Sequence, residues 1–259
     1  MSDWNPQQYL KFKSERTQPS IDLVARIAIN EPKTIIDIGC GPGNSTQILY
    51  RRWPDVDIVG LDSSQKMIEK ARQDYPGQKW IVGHAADLDT KQKYDVVFSN
   101  ATLQWVPNHD VLIPRLFDAV NKSGVLAVQV PANNESPLHK ALFSVAQSRK
   151  WKGYTSGCEK MLTYHNAGYY YNVLIGLTEN FDIWETTYYH VLGSHEAMLE
   201  WYRSTGMKPF LERLPDDEAR NEFEKEILMQ CQPLYPVQSD GKILYPFKRL
   251  FFTASKSAG

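Results

Sequence analysis

Three carboxylates, Asp37, Asp62 and Asp87, share the first third of the chain with Gly39, Gly41 and Gly43, and the spacing of the six is that of a ligand site. Asp37 stands two residues before the first glycine of the run Gly39-Cys40-Gly41-Pro42-Gly43. A carboxylate facing a ligand from that position repels a pyrophosphate and attracts an ammonium or a sulfonium. The glycines let backbone approach a ligand closely, and the helix that follows offers free N–H groups. Asp62 lies 19 residues past Gly43, near the ~20 expected of an acid that binds ribose hydroxyls. Asp87 can accept a hydrogen bond from an adenine amino group. Taken singly, Asp62 is as readily a helix cap and Asp87 a turn residue; in this order they form a pattern.

The elements that must hold these groups follow from periodicity. Thr34–Ile38 is an apolar, β-branched run of strand length, and a helix opens directly after the glycines. Asn44 is expected to cap that helix, with Gln47 reaching back as in a capping box. A dinucleotide fingerprint, G-x-G-x-x-G, would need glycine where Asn44 stands, so the G-x-G-x-G spacing favours S-adenosylmethionine over NAD. Asp57–Leu61 is the next strand and ends on Asp62 and Ser63; Ser64 caps a helix with Met67, Ile68 and Ala71 on one face. The strand Trp80-Ile81-Val82 leads to Asp87 and Leu88, and Tyr94–Asn100 runs into ATLQW, which brings Asn100 and Trp105 to the strand ends. A helix over Val111–Val120, a turn over Asn121–Gly124 and a buried strand over Val125–Val130 complete the alternation. Strands alternating with helices imply βαβ units, a parallel sheet and acids gathered along one sheet edge.

Past Pro131 the alternation breaks. The pattern predicts a loop at Asn133–Ser136, helices over Pro137–Gln147 and Asn166–Ile175, and an irregular stretch between them. A strand over Phe181–Leu192, a helix capped by Ser194, a charged helix over Pro215–Gln230 with proline in its first turn, and a last strand over Ile243–Ala254 follow. Pro246 argues that this last strand is an edge or a bulged one. Ahead of the first strand, Tyr9, Phe12 and Arg16 share a face if helical, which fits either a helix packed on the core or a lid; Pro19–Ile29 reads as a second, amphipathic helix.

Bulk properties exclude several classes. Among 259 residues, 29 basic side chains stand against 30 acidic ones with no basic run, which gives no footprint for nucleic acid or an anionic membrane face. Three cysteines without CxxC spacing and six scattered histidines imply neither a disulfide framework nor a metal site. No signal sequence and no stretch of ~18 apolar residues is present, so a soluble, cytoplasmic protein is expected. The aromatic content, 12%, fits ordinary core packing or an aromatic-lined cover over a small-molecule pocket.

The segment IDIGCGPGNST, with the acids that follow it, resembles the class I S-adenosylmethionine-dependent methyltransferases. SDWNPQQYLKFKSER, SNATLQWVPNHD, GVLAVQVP and WETTYYHVLGSHEAMLEWYRSTGMKPFL are similar, more narrowly, to the members that esterify small polycarboxylic acids such as trans-aconitate. The resemblance spans nearly the whole chain. It implies a Rossmann-like α/β fold with a mostly parallel seven-stranded sheet whose last strand is antiparallel. It also implies one domain, its core over residues 20–131 with late strands at 181–192 and 242–254, and cover from 1–19, 132–180 and 193–241. The expected cofactor contacts are Asp37, Gly39, Gly41, Gly43, Asn44, Asp62, Ser63, Met67, Asp87, Leu88 and Asn100. No metal is implied, and the partner is a small polycarboxylate met by a monomer or weak dimer.

Methyl transfer from a sulfonium is an in-line displacement, so holding nucleophile, methyl carbon and sulfur in line is most of the task. A carboxylate acceptor is already ionised at neutral pH, whereas an amine or phenol needs a base. Of the histidines, His84, His109 and His190 are the candidates, each also read as a satisfied core or surface residue. The remaining charges of a polycarboxylate call for cations and hydroxyl donors. Arg16, Tyr188, Tyr189, His190, Arg203, Lys208 and Arg249 qualify, with Tyr9 and Arg16 first, and Trp105 is a pocket wall or plain core. The alternatives are another small metabolite, a carboxyl group on a carrier protein, a sensor that binds S-adenosylmethionine without chemistry, and a Rossmann oxidoreductase.

Overall fold

A computed structural model of the chain describes residues 13–203 and 205–258, with side chains from residue 17 onward. Its seven strands are β1 (Thr34–Ile38), β2 (Asp57–Asp62), β3 (Lys79–Val82), β4 (Tyr94–Asn100), β5 (Val120–Pro131), β6 (Phe181–Leu192) and β7 (Ile243–Ser255). They form one sheet in the order β3-β2-β1-β4-β5-β7-β6. The pairs β3/β2, β2/β1, β1/β4 and β4/β5 are parallel. β7 runs against β5: Ser123 N–H bonds Ser257 O and Lys256 N–H bonds Gly124 O at one end, Ala132 N–H bonds Lys248 O at the other. The expected sheet is present, mixed and with antiparallel last strands. β1 is an interior strand between β2 and β4, and its Ile35, Ile36 and Ile38 are buried to 1% exposure or less, as a strand covered on both faces must be.

The longer helices are α1 (Lys13–Ala25), α2 (Asn44–Arg52), α3 (Gln65–Asp74), α4 (His109–Asp118), α5 (Pro137–Ala146), α6 (Ala167–Leu174), α7 (His195–Arg203) and α8 (Asp217–Cys231). The chain divides into two compact units. Of the described residues, one holds 13–131, 165–186 and 250–258, and the other holds 132–164 and 187–249. In the first, Ser64 caps α3 by accepting from Met67 N–H at 3.2 Å, and Met67, Ile68 and Ala71 are its buried face, as the pattern predicts. In the second, caps of the same kind begin α5 at Ser136 and α8 at Asp216. Its core is aromatic: Trp201, Tyr202, Phe210, Phe223 and Tyr245 are buried to 1% exposure or less.

Five local expectations are corrected. The helix expected over Pro19–Ile29 is α1, which begins by Lys13, carries Pro19 inside it and stops at Ala25. A proline costs a helix one amide bond without always ending it, and here Arg52 collects the terminal carbonyls of Val24 and Ile27. Tyr9 and Phe12, on the face expected ahead of it, lie outside the described residues. At α2 the cap is Gly43, at φ 97°, and Asn44 is the first helical residue without a capping bond. Gln47 pairs with Gln78 instead, each amide donating to the other at 2.7 and 3.2 Å.

The turn expected at Asn121–Gly124 is a bulge inside β5: Tyr94 faces Val120 while Val96 faces Val125. The extra residues are held by Asn121, which donates to Asp95 at 2.8 Å. Pro215 precedes the cap of α8 and is not in its first turn. β7 is flanked on both sides, by β5 and β6, and is no edge strand. Pro246 is tolerated there because it lies beyond the Ala132–Lys248 bond that closes the β5 side.

Candidate active site

At the carboxyl ends of β1 to β4 the first unit encloses a cavity of about 380 Å3. β1 supplies Ile38 and the turn with Gly39 and Gly41; β2 supplies Leu61, Asp62 and Ser63, with Met67 from α3; the segment after β3 supplies Gly83 to Asp87; the segment after β4 supplies Asn100 to Thr102 and Trp105 to Pro107. Strand ends in an open α/β sheet are where ligands settle, because the crossovers leave a crevice there.

The glycine turn is fixed by the second strand. Gly39 N–H donates to Leu61 O at 2.7 Å, and Gly41 N–H donates to Asp62 Oδ2 at 2.9 Å. Gly39 sits at φ 72°, and a Cβ there would fall 2.0 Å from Thr102 Oγ1. Glycine is therefore required twice, by backbone conformation and by the neighbouring side chain. Asp62 also accepts from Ser64 N–H at 2.8 Å, so the start of α3 and the glycine turn share one carboxylate.

Asp37 occupies a different place from the one its sequence position suggests. It does not line the cavity: it is fully buried beneath the turn, and its Oδ2 accepts from Ser45 at 2.7 Å and Thr46 at 2.6 Å. Burial raises its carboxyl pKa to about 6, against the two hydroxyl bonds that lower it; Asp62 adds a smaller push upward. Its Oδ1 has no hydrogen-bond partner.

Of the expected cofactor residues, Gly39, Gly41, Asp62, Ser63, Met67, Asp87 and Asn100 line the cavity together; Asp37, Gly43, Asn44 and Leu88 do not. Leu88 is core, at 5% exposure. Trp105 lines the cavity. Tyr189 and Arg249 belong to the other unit: Tyr189 is exposed, and Arg249, 4% exposed, lies 4.7 Å over the Phe247 ring and 5.9 Å from that of Tyr188. Arg203 is committed to Glu224, with two bonds of 2.5 Å. Tyr9 and the side chain of Arg16 lie outside the described residues. Ala101 and Thr102, just past Asn100, line the cavity as the end of β4 leads one to expect, and His84 lines it too. The cavity residues not foreseen include Gly83, Val106 and Pro107, and for Gly83 its place directly after β3 is the signal that finds it.

Two carboxylates and no lysine or arginine stand among the residues described around the cavity. Such a space attracts a cation and repels phosphate. Asn100 adds a buried side-chain oxygen without a hydrogen-bond partner. No group of three or more metal-ligating side chains occurs among the described residues, and none of their helices is long and apolar enough to cross a membrane.

This sheet order, with its cavity at the strand ends, is the architecture of a class I methyltransferase. Residues 29–194 match the family model described as a methyltransferase domain, and the chain belongs to that family. Across its whole length it is also similar to proteins named trans-aconitate 2-methyltransferase. It is 40% identical to that of Enterobacter sp. (strain 638) over 258 residues, 99% of both chains. To that of Rhodopseudomonas palustris (strain BisB18) it is 41% identical over 257 residues, 99% of this chain and 100% of the relative. Among solved structures, the YcgJ protein of Bacillus subtilis superposes with a TM-score of 0.59 at 13% identity, over 93% of this chain and all of the other. A phosphoethanolamine N-methyltransferase of Haemonchus contortus reaches 0.56 at 16% identity, over 93% of this chain and 53% of its own; both likenesses concern the fold.

Proposed function

We propose that the chain transfers the methyl group of S-adenosylmethionine to a carboxylate of a small polycarboxylic acid, trans-aconitate first among them, giving a methyl ester. The observation that carries this reading is the end-to-end identity of about 40% with relatives of that name. The cavity fits the cofactor on its own evidence: two acids for a cationic ligand, a glycine turn where backbone can approach it, and an unpartnered oxygen on Asn100 for a donor.

We assign the ribose hydroxyls to Asp62, the adenine amino group to Asp87, the apolar contact to Met67, and the backbone contacts to Gly39, Gly41 and Ser63. Asp37 acts from beneath as a buried carboxylate, with Gly43 and Asn44 forming the turn above it. Leu88 backs the wall. The cofactor supplies an electrophilic methyl carbon on a sulfonium. Trp105 forms the wall beside which the acceptor oxygen is held in line with that carbon. Transfer to a carboxylate oxygen would break the carbon–sulfur bond toward sulfur and would move no proton. No base is required, and the structure offers His109 none of that work, since both its ring nitrogens are engaged. Cations for the other carboxylates are assigned, on their chemistry, to Arg16 and Arg249, with hydroxyls from Tyr9 and Tyr189. We take the protein as a single cytoplasmic methyltransferase domain, monomeric or weakly dimeric and without nucleic acid as partner.

Incubation with methyl-labelled S-adenosylmethionine and a panel of polycarboxylic acids tests the proposal. Base-labile, volatile label with trans-aconitate is the expected result; label with no acid on the panel overturns it.

A further inference from the structure

The turn that follows β4 is held from a distance. Ala101, at φ 54°, and Asn108, at φ 59°, bracket it in the left-handed region, which non-glycine residues adopt only under constraint. Between them lie Thr102, Trp105, Val106 and Pro107, all on the cavity. Within the turn, Trp105 N–H bonds Thr102 O at 3.0 Å, Val106 N–H bonds Leu103 O at 2.8 Å and Gln104 Nε2 bonds Ala101 O at 2.7 Å, while Ala101 N–H bonds Gln129 O at 3.0 Å and the Thr102 hydroxyl bonds Gly39 O at 3.2 Å.

His109 adds a tie from beyond the turn. It is fully buried, its Nε2 lies 2.8 Å from Leu103 O and its Nδ1 lies 2.7 Å from the Tyr170 hydroxyl. A carbonyl only accepts, so Nε2 carries the hydrogen. Burial lowers the pKa of the ring and so favours the neutral form, in which Nδ1 accepts from the phenol. Tyr170, 61 residues away in sequence, is 1% exposed and packs on Phe252 at 5.1 Å. His165 meets the His109 ring edge-on at 5.2 Å and stacks on Tyr169 at 3.6 Å.

We propose that His109, braced by Tyr170, is a positioning residue for methyl transfer: through the Leu103 carbonyl it holds the strained turn that sets Thr102 and Trp105 against the reacting atoms. The proposal rests on the function assigned above. Displacement of this wall degrades alignment and spares the cofactor's grip, because Asp62, Asp87 and the glycine turn belong to other strands and Asn100 is held in β4 against Gln129 of β5.

The test compares wild type with H109Q, H109F and Y170F, counting folded sites by S-adenosylhomocysteine binding. Loss of alignment is expected to lower kcat per site about tenfold to a hundredfold in H109F and several-fold in Y170F. H109Q keeps a donor for Leu103 O and should stay within about threefold of wild type, and affinity for S-adenosylhomocysteine should change by less than about threefold throughout. A purely structural histidine lowers the folded fraction and leaves kcat per site alone. Unchanged kcat per site in H109F and Y170F, or a loss in H109Q as large as in H109F, overturns the proposal. Y170F decides if H109F does not fold.

A wild type that esterifies no acid defeats the functional reading, and this inference is then decided by amide exchange at Trp105 and Val106. That exchange should accelerate about tenfold in Y170F, and rates equal to wild type overturn the proposal.

Discussion

The two walls of the cavity are built by opposite means. The wall from β1 to β3 is local: glycines, Asp62 and Ser64 bond one another within or just past their own strand ends, and Gly41 N–H meets Asp62 at 2.9 Å. The wall after β4 has bonds of its own, and contacts that span the fold tie it down further, from Thr102 to Gly39 and from His109 to Tyr170. On the proposed function, the first wall binds by charge and backbone, and the second shapes the space in which atoms must line up. Affinity and rate should therefore fail separately when each is damaged.

The largest effect is expected from Asp62→Ala. It removes a charge from the cavity and strands the N–H groups of Gly41 and Ser64, bonds of the charge-assisted kind worth about 1.5–3 kcal/mol each. Calorimetry should show affinity for S-adenosylhomocysteine falling by about a hundredfold, while a fall below threefold breaks the assignment of this wall to the cofactor. Gly39→Ala comes next. Left-handed backbone costs an L-residue about 1–2 kcal/mol, and the added carbon overlaps Thr102. A drop in Tm of several degrees is expected by scanning calorimetry.

Asp37→Asn sharpens the comparison in the other direction, toward stability. Because burial raises the Asp37 pKa from 3.8 to about 6, the folded protein binds the proton more tightly than the unfolded chain. Its contribution is full below pH 3.8 and is lost as pH rises through about 6. A shift of that size corresponds to roughly 3 kcal/mol at neutral pH. Denaturant unfolding at pH 8 should therefore find the amide variant more stable than wild type, with the gain shrinking toward pH 4, and weaker in cofactor affinity. A destabilised variant at pH 8 refutes the buried-charge account. The smallest effect is expected from Thr102→Val, which keeps the shape and loses bonds of 3.2 and 3.3 Å to the carbonyls of Gly39 and Asn100. About 1 kcal/mol of stability should go, with cofactor affinity held.

The contrast also explains what could be read from the sequence. β1 to β4 and the cap at Ser64 are read from local period, Asp62 from its spacing of 19 residues past Gly43, and Asp87 from the strand just ahead of it, so period and spacing sufficed. Asn44 misled because Ser, Thr, Asp and Asn lead at caps, whereas a glycine already at positive φ took the position. Asp37 was placed on the ligand by its distance from the glycines, but Ser45 and Thr46 draw it under the turn, eight and nine residues on. The role of His109 was out of reach, since its partner is set by the fold. The bulge in β5 was hidden for the same reason: a turn and a bulge use the same residues, and only the neighbouring strand decides between them.

The most direct measurement is a crystal structure with S-adenosylhomocysteine. The account expects the adenosyl group between Asp62 and Asp87 with its sulfur toward the Asn100–Pro107 wall. Density for that ligand outside this cavity, or inside it with neither acid in contact, would contradict it.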